Sequence, residues 1–204
     1  MPAIEYLPVG DWQANCYFVG VPTGEALLLD PGAEAEHLLA WLGERRPGFI
    51  VLTHADPDHV GALDAVAEAL GSPVWAHPAA QARVQRRLDR TLAHGERVQV
   101  GPVEFEVRHV PGHSPDGIAL IGAGRCFSGD SLFPGGPGRT PDPEAFLTLL
   151  AAIERELLPL DPATVVYPGH GAGTTIRTAR EEVAGFRRRW HGEPISGDVT
   201  WLGV

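Results

Sequence analysis

Hydrophobic positions early in the chain follow the period of β-strands and then that of a helix. Residues 3–10, 15–20 and 26–30 alternate or run apolar, and Gly, Pro, Asp and Asn residues separate them. Short apolar runs bounded by turn residues are typical of strands, so the chain is predicted to open with a β-meander. Leucine and tryptophan then recur at helical spacing over 34–44, which predicts an amphipathic helix.

Strands and helices alternate through the rest of the sequence. The apolar run at 49–52 predicts a buried strand, followed by a turn with proline and a helix from Gly61 to Leu70. A loop rich in glycine and proline at 133–140 is long enough to border an active site. Further strands are predicted at 73–76, 98–100, 103–110, 118–121, 125–127 and 164–167, and further helices at 78–88, 142–157 and 175–190.

Two of these helices differ in the faces they are predicted to present. The apolar face of helix 142–157 is expected to pack on the core through Ala145, Leu149, Ala152, Ile153 and Leu157. Helix 78–88 is expected to carry a solvated basic face, with recruitment of an anionic substrate as the alternative. That face consists of Arg83, Arg86, Arg87 and Arg90. His77 and His94 lack a motif context and are expected in loops or at the surface.

Potential metal ligands are concentrated directly after the strand at 49–52. His54, Asp56, Asp58 and His59 lie in its strand-to-helix turn. Ionisable groups at the edge of a core need partners, so such a cluster seldom arises for stability. In open α/β folds the loops at the carboxyl ends of strands bind ligands, and this turn is therefore the first candidate for a functional site.

Composition restricts the class of protein and its partners. The chain has 204 residues, which fits one domain over 1–204, and its net charge of −10 argues against nucleic acid as the main partner. There is no signal-peptide pattern and no apolar run of membrane-spanning length, so we expect a cytoplasmic protein that does not bind membranes. Cys16 and Cys126 lie in apolar segments and are expected to be buried thiols rather than a disulfide.

Three later blocks complete a pattern that begins with the cluster at 54–59. They are Pro-Gly-His-Ser at 111–114, Ser-Gly-Asp-Ser at 128–131 and Tyr-Pro-Gly-His-Gly at 167–171. The pattern resembles the metallo-β-lactamase superfamily, whose signature is His-x-His-x-Asp-His followed by a distant His, Asp and His. The resemblance covers residues 3–190 and implies an α/β fold, a four-layer αββα sandwich of two mixed β-sheets with outer helices.

This resemblance also implies a dinuclear metal site. One ion would be bound by His54, Asp56 and His113 and the other by Asp58, His59 and His170, with Asp130 bridging both. We expect two divalent ions, zinc first, with iron or manganese as alternatives. Asp58 is expected to orient the attacking water while bound to its metal. Asp30, in an Asp-x-Gly turn, either lies beneath this site or only forms an Asx turn.

Asp56 stands where the signature has its second histidine. A carboxylate adds a negative charge and a harder ligand, which favours iron or manganese. Two alternatives to direct ligation stay open. The site is degenerate and holds one metal, or Asp56 orients a neighbouring ligand instead of binding the ion.

Within the superfamily, the residues around 128–133 and 166–171 resemble compact glyoxalase II-like hydrolases (hydroxyacylglutathione hydrolase-like), which cleave thioesters such as S-lactoylglutathione. The resemblance implies attack of a metal-bound hydroxide on a thioester or related ester in a small-molecule substrate. Ala172 replaces a Tyr that lies near the thiol substrate in that enzyme, which leaves glutathione recognition open. Arg139 is expected either to bind a substrate carboxylate or to be structural. The alternatives are a mononuclear iron oxygenase like the persulfide dioxygenases, a lactonase or phosphodiesterase, and a metal-binding protein without turnover.

Overall fold

Two six-stranded mixed β-sheets form the centre of the molecule, and helices lie on the outer face of each sheet. The structure is a computed structural model that describes residues 1–203. The arrangement confirms the expected αββα sandwich of the α/β class. Within residues 1–203, no helix has the length and apolar character that crossing a membrane requires.

The first sheet contains the predicted meander and then strands that run parallel. Its strands are β1 Ala3–Val9, β2 Ala14–Gly20, β3 Ala26–Leu29, β4 Phe49–Val51, β5 Val74–Ala76 and β6 Arg90–Thr91, in the same order in space as in the chain. β1 to β3 pair antiparallel, which confirms the meander, and β3 to β6 pair parallel. The carboxyl end of β4, inside the sheet, leads directly into the ligand cluster at 54–59.

The second sheet does not follow chain order. The remaining strands are β7 Arg97–Val100, β8 Val103–His109, β9 Ile118–Gly122, β10 Arg125–Gly129, β11 Leu132–Phe133, β12 Gly136–Pro137, β13 Val165–Pro168 and β14 Thr174–Thr175. β11 and β12 form a separate hairpin, and the sheet has the order β14-β13-β10-β9-β8-β7. β10 pairs parallel with β13 and antiparallel with β9, so the loops after β10 and β13 leave the same edge.

Successive side chains of a strand point to opposite faces of its sheet, and both faces carry apolar residues here. The inner faces pack against each other, and the helices cover the outer faces. The helices are α1 Ala35–Leu42, α2 Pro57–Val60, α3 Leu63–Leu70, α4 Pro143–Ala152 and α5 Ile176–Arg189. In β3, Leu28 packs with α1 and α3, whereas Leu27 and Leu29 pack between the sheets. All three leucines are fully buried, and each contributes roughly 1.5–3 kcal/mol by its removal from water.

The predicted helix at 78–88 is wrong. Only a short 3₁₀ turn, Pro78–Ala82, is helical. The Gln81 side chain accepts a hydrogen bond from the Leu88 backbone N–H at 3.0 Å and donates to the Arg86 carbonyl at 3.1 Å. These bonds stabilise an irregular loop, and the arginines of this segment consequently do not share one solvated face.

The predicted helix at 142–157 is helical from 143 onward, but its last five residues are not α-helical. α4 ends at Ala152 and continues as a π-helical turn, Ile153–Leu157. Of the five predicted core positions, Ala145 is only half-buried because it lies in the first turn of α4, while the other four are buried. Cys16 and Cys126 are buried free thiols, as expected.

Candidate metal centre

Loops from both sheets meet at one edge of the sandwich and bring the predicted ligands together. The segment after β4 supplies the cluster at 54–59, and the loops after β8, β10 and β13 supply His113, Asp130 and His170. Carboxyl ends of parallel strands lie at the same edge of a sheet, which explains why distant parts of the sequence converge here.

The described residues contain three His₂Asp groups here, and one of them, Asp30 with His54 and His59, is fully buried. Of the two at the open side, the first contains His54, Asp56 and His113. The Asp56 Oδ2 atom is 3.2 Å from His113 Nε2 and 3.9 Å from His54 Nε2. The possible ligand atoms of this group lie within 4.8 Å of one another, which is a spacing that one ion can bridge. We name it the Asp56 group.

The other cluster, named here the Asp58 group, contains Asp58, His59 and His170. The Asp58 Oδ2 atom is 3.2 Å from His170 Nε2 and 3.9 Å from His59 Nε2. The two histidine Nε2 atoms are themselves only 3.2 Å apart. Two nitrogen lone pairs at this distance repel unless a proton or a cation lies with them, so this cluster also favours positive charge.

Asp130 lies between the two groups. Its Oδ1 atom is 3.4 Å from His59 Nε2, and its Oδ2 atom is 3.4 Å from His170 Nε2 and 3.7 Å from His113 Nε2. Gly169 permits this position, since a Cβ atom there would lie 2.0 Å from Asp130 Oδ1. Both oxygens therefore face the Asp58 group, and Oδ2 also faces the Asp56 group, so the carboxylate can serve as a ligand to both.

All four histidines of the centre are oriented through the same ring atom. Each Nδ1 atom has an outward hydrogen-bond partner, and each Nε2 atom faces the centre. The outward partners are Thr53 Oγ1 for His54 at 3.1 Å, Asp30 Oδ2 for His59 at 3.1 Å, the Arg139 carbonyl for His113 at 2.7 Å and the Trp12 carbonyl for His170 at 2.9 Å. A donor at Nδ1 leaves the Nε2 lone pair free, as in the histidine ligands of metal proteins.

Asp30 supports the centre from below and is buried. It accepts hydrogen bonds from the Thr53 N–H at 2.7 Å and the Thr53 hydroxyl at 2.5 Å, besides its contact with His59. Close packing holds this turn, because a Cβ atom on Gly32 would lie 1.8 Å from the Asp58 carbonyl oxygen. Asp30 thus does more than form an Asx turn. It orients His59 directly and His54 through Thr53.

Burial and nearby charges move the pKa values of the centre in different directions. Burial, reinforced by His59, lowers the pKa of His54 to about 4. Burial also opposes charge on His170, but Asp130 outweighs it and raises the pKa of His170 to about 10. The same carboxylate raises the pKa of His59, and its own pKa is held well below the usual range despite burial. Protons and metal cations would compete for the same nitrogen atoms.

Unsatisfied polar atoms show that a cation fits this donor set. Within the part of the chain that the structure describes, His54 Nε2, His113 Nε2 and Asp130 Oδ1 are buried and have no hydrogen-bond partner. Leaving a buried polar atom unpaired costs about 1–3 kcal/mol, which metal coordination would offset. Imidazole nitrogen and carboxylate oxygen are ligands that suit zinc, iron or manganese.

Comparison with known proteins decides the family. A family model described as the metallo-beta-lactamase superfamily matches residues 9–170. The chain belongs to this superfamily. Hydroxyacylglutathione hydrolase GloC of Haemophilus influenzae is 33% identical over 196 residues, which cover 85% of this chain and 92% of GloC. The resemblance inferred from the sequence motifs is therefore confirmed.

Solved structures of the superfamily share the fold. The crystal structure of BLEG-1 B3 metallo-beta-lactamase has a TM-score of 0.79 and 34% identity, and covers 88% of this chain and 97% of its own. The crystal structure of TTHA1623 in a di-iron-bound form has a TM-score of 0.73 and 38% identity, and covers 88% of this chain and 96% of its own.

Asp56 departs from the superfamily signature, and its carboxylate is paired with Arg83. The guanidinium of Arg83 contacts the Asp56 Oδ1 atom, the Asp116 carboxylate and the Ser114 hydroxyl. The helical spacing of the arginines at 78–88 predicts a solvated face for this side chain instead. No signal in the sequence links positions 56, 83 and 116, because the contact depends on an irregular loop.

A cleft of about 520 Å³ opens over the centre, within the usual size range of small-molecule sites. Trp12 and Phe133 form apolar parts of its wall, and Arg139 and Asp198 lie at its rim, 3.9 Å apart at their nearest charged atoms. Arg139 is 74% exposed. His77 and His94 lie outside the metal groups in loops, as expected, and His77 stacks on His109 at 4.1 Å.

Proposed function

We propose that this protein is a metal-dependent hydrolase that cleaves a thioester or a related ester of a small molecule. One observation carries the proposal: four histidines present their Nε2 atoms to three carboxylates at the floor of an open cleft. A centre that served only structure would bury these groups, whereas here Asp56 and Asp58 each remain 27% exposed toward the cleft.

In this proposal the two groups hold two divalent ions that share Asp130. Zinc is the expected metal, and iron or manganese also suits a centre that contains the extra carboxylate of Asp56. The di-iron form of TTHA1623, a similar protein, supports iron as the main alternative. Such ions lower the pKa of water and polarise a carbonyl group.

The side chains of the chain itself orient the reactants. Asp58 lies at the cleft floor beside His170 and orients the attacking water by accepting a hydrogen bond from it. Water adds to the carbonyl carbon and gives one proton to solvent, the C–S bond breaks, and the leaving thiolate takes up a proton from solvent. Asp30 and the backbone carbonyls of Trp12 and Arg139 keep the imidazole rings in place during this change.

The cleft suits a substrate with an apolar part and a charged part. Trp12 and Phe133 provide surface for an acyl chain, and Arg139 provides a cation at the rim for a carboxylate. The name of the similar protein GloC supports a hydroxyacyl thioester as the first substrate to test. The net charge of −10 argues that a nucleic acid is not the substrate.

Thiol release from a panel of esters tests the proposal. We expect the purified protein to release thiol from a hydroxyacyl or short acyl thioester, a chelator to remove the activity, and added zinc to restore it. His170→Ala should release thiol much more slowly, whereas His77→Ala, which removes a histidine outside the centre, should retain the native rate. No hydrolysis of thioesters or lactones, together with sulfite formation from a persulfide in oxygen, would contradict the proposal and identify an oxygenase.

A further inference from the structure

Arg83 connects loops that belong to different sheets. It follows the 3₁₀ turn after β5 of the first sheet, and it reaches Asp56, which follows β4 of the same sheet. Its other contacts, Ser114 and Asp116, lie between β8 and β9 of the second sheet. Ser114 directly follows His113 of the Asp56 group. One guanidinium therefore contacts both loops that form this group.

The contact with Arg83 gives the two oxygen atoms of the Asp56 carboxylate different partners. Oδ1 is paired with Arg83, and Oδ2 faces the histidines at 3.2 and 3.9 Å. With one oxygen held by the guanidinium, only the other is available to an ion, so the carboxylate offers a single ligand atom as an imidazole does. The positive charge of Arg83, which Asp56 shares with Asp116, also offsets part of the negative charge that Asp56 introduces.

Asp116 anchors the other end of the guanidinium. Its side chain is fully buried, and it also accepts a hydrogen bond from the Ser114 hydroxyl. A buried carboxylate requires a partner, and Arg83 is its salt-bridge partner among the described residues. This fixed anion sets the direction of the guanidinium fork, because arginine binds carboxylates in a planar geometry that lysine cannot reproduce.

We propose that Arg83 is a positioning residue that makes Asp56 equivalent to the histidine it replaces. It orients the carboxylate as a ligand with one donor atom and offsets part of its charge. The inference rests on the proposed function only in taking the Asp56 group to bind a metal ion.

Metal titration of a double-mutant cycle tests this inference. Zinc binding is measured with buffered free zinc and quantified as equivalents per chain for native protein, Arg83→Met, Asp56→His and the double variant. Loss of Arg83 alone should weaken the zinc equivalent of the Asp56 group about 10–100-fold, the usual effect of removing a residue that orients a ligand. In the Asp56→His background the same loss should change affinity less than about threefold or strengthen it, because Arg83 then has no carboxylate to orient.

Arg86→Met is the matched control. Arg86 lies three positions along the same loop, and its nearest carboxylate contact is Asp64 at 3.5 Å, outside the metal groups. Both zinc equivalents should remain unchanged in this variant. If Arg83→Met fails to fold because Asp116 loses its partner, the pair Arg83→Met with Asp116→Asn removes the buried charge and carries the test, with the same weakening expected.

Equal effects of Arg83→Met in the two backgrounds would overturn the inference, and so would tighter zinc binding on its loss from the native chain. Native protein that folds but takes up no zinc, iron or manganese would overturn the proposed function together with the inference. Two tight equivalents in native protein with no coupling between positions 56 and 83 would overturn the inference alone. Thermal unfolding of the metal-free variants separates loss of fold from loss of metal.

Discussion

The Asp56 group and the Asp58 group contain the same residue types but lie in different electrostatic surroundings. Each has two histidines and one aspartate, and both aspartates are equally exposed. Asp56 is paired with a guanidinium, whereas Asp58 contacts only histidines among the ion pairs of the described residues. Equal ligand sets therefore do not imply equal metal preferences, because the charge beside each carboxylate differs.

The difference also suggests a division of roles. The Asp56 carboxylate is held by Arg83 through Oδ1, which leaves Oδ2 facing His113 as a ligand atom. Asp58 has a free face on the cleft, which suits orientation of water and substrate. The histidines of both groups are anchored equally well through Nδ1. We therefore expect substitutions in the two groups to differ in their effects on metal preference and on turnover rate, and less in their effects on the stability of the fold.

Asp130→Ala should have the largest effect, because it removes the residue that the two groups share. We expect a loss of turnover of about 10³-fold or more, equal to ~4 kcal/mol in the barrier, and reduced occupancy of both groups. Metal analysis and thiol release measure the two effects. Asp64→Ala, which removes an exposed carboxylate outside the centre, is the control. Native metal content and rate in Asp130→Ala would rule out a shared ligand.

Single histidine substitutions should distinguish the groups. His113→Ala should empty mainly the Asp56 group, and His170→Ala mainly the Asp58 group, each losing about one metal equivalent. We expect the second change to slow turnover more, because Asp58 orients the attacking water in the proposed mechanism, whereas Asp56 is paired with Arg83. Rates and metal equivalents for the two variants, measured side by side, check this order. Loss of all metal from either variant would show that the groups do not bind independently.

A series at position 56 should change metal preference with a smaller effect on rate. Asp56→His should raise zinc occupancy relative to iron or manganese, since an imidazole is a softer and neutral ligand. Asp56→Ala should lose the metal of its group, whereas Asp56→Asn should lose less if the residue only orients a neighbour. Competition between zinc and manganese, measured as bound metal, compares the variants. Full metal content in Asp56→Ala would exclude direct ligation.

Arg139→Gln should have the smallest effect. The side chain is 74% exposed, and the hydrogen bond that orients His113 comes from the backbone carbonyl of Arg139, which the substitution retains. We expect KM for an anionic substrate to rise by up to about fivefold, with metal content unchanged. A neutral substrate should show no change in KM. A fall in metal content would instead assign Arg139 a structural role.

The layers of the fold and the ligand-bearing loops were predictable because each depends on a local pattern. A continuous apolar run, as in β3, identifies a strand that is buried on both faces, and the ligand blocks follow strand ends. The short strands β6, β11, β12 and β14 have only two residues each, too few to show any periodicity. Their positions depend on tertiary contacts.

The setting of Asp56 was not predictable, and the reason is physical. The helical spacing of arginines at 78–88 describes a helix that does not form, because side-chain hydrogen bonds of Gln81 stabilise a loop instead. Only that loop carries Arg83 to carboxylates 27 and 33 positions away in the sequence. Local helix propensity was thus overridden by the hydrogen bonds of Gln81 and by long-range charge pairing, in the loop that contacts the one position where the chain departs from its superfamily signature.

Metal content per chain tests the central claim most directly. The protein is produced without added metal, and bound zinc, iron and manganese are quantified together with the concentration of folded protein. A centre with two groups that share Asp130 predicts two equivalents of divalent metal, both removed by a chelator and restored on its removal without refolding. One equivalent of iron, or folded protein with almost no metal under any loading condition, would contradict the dinuclear hydrolase.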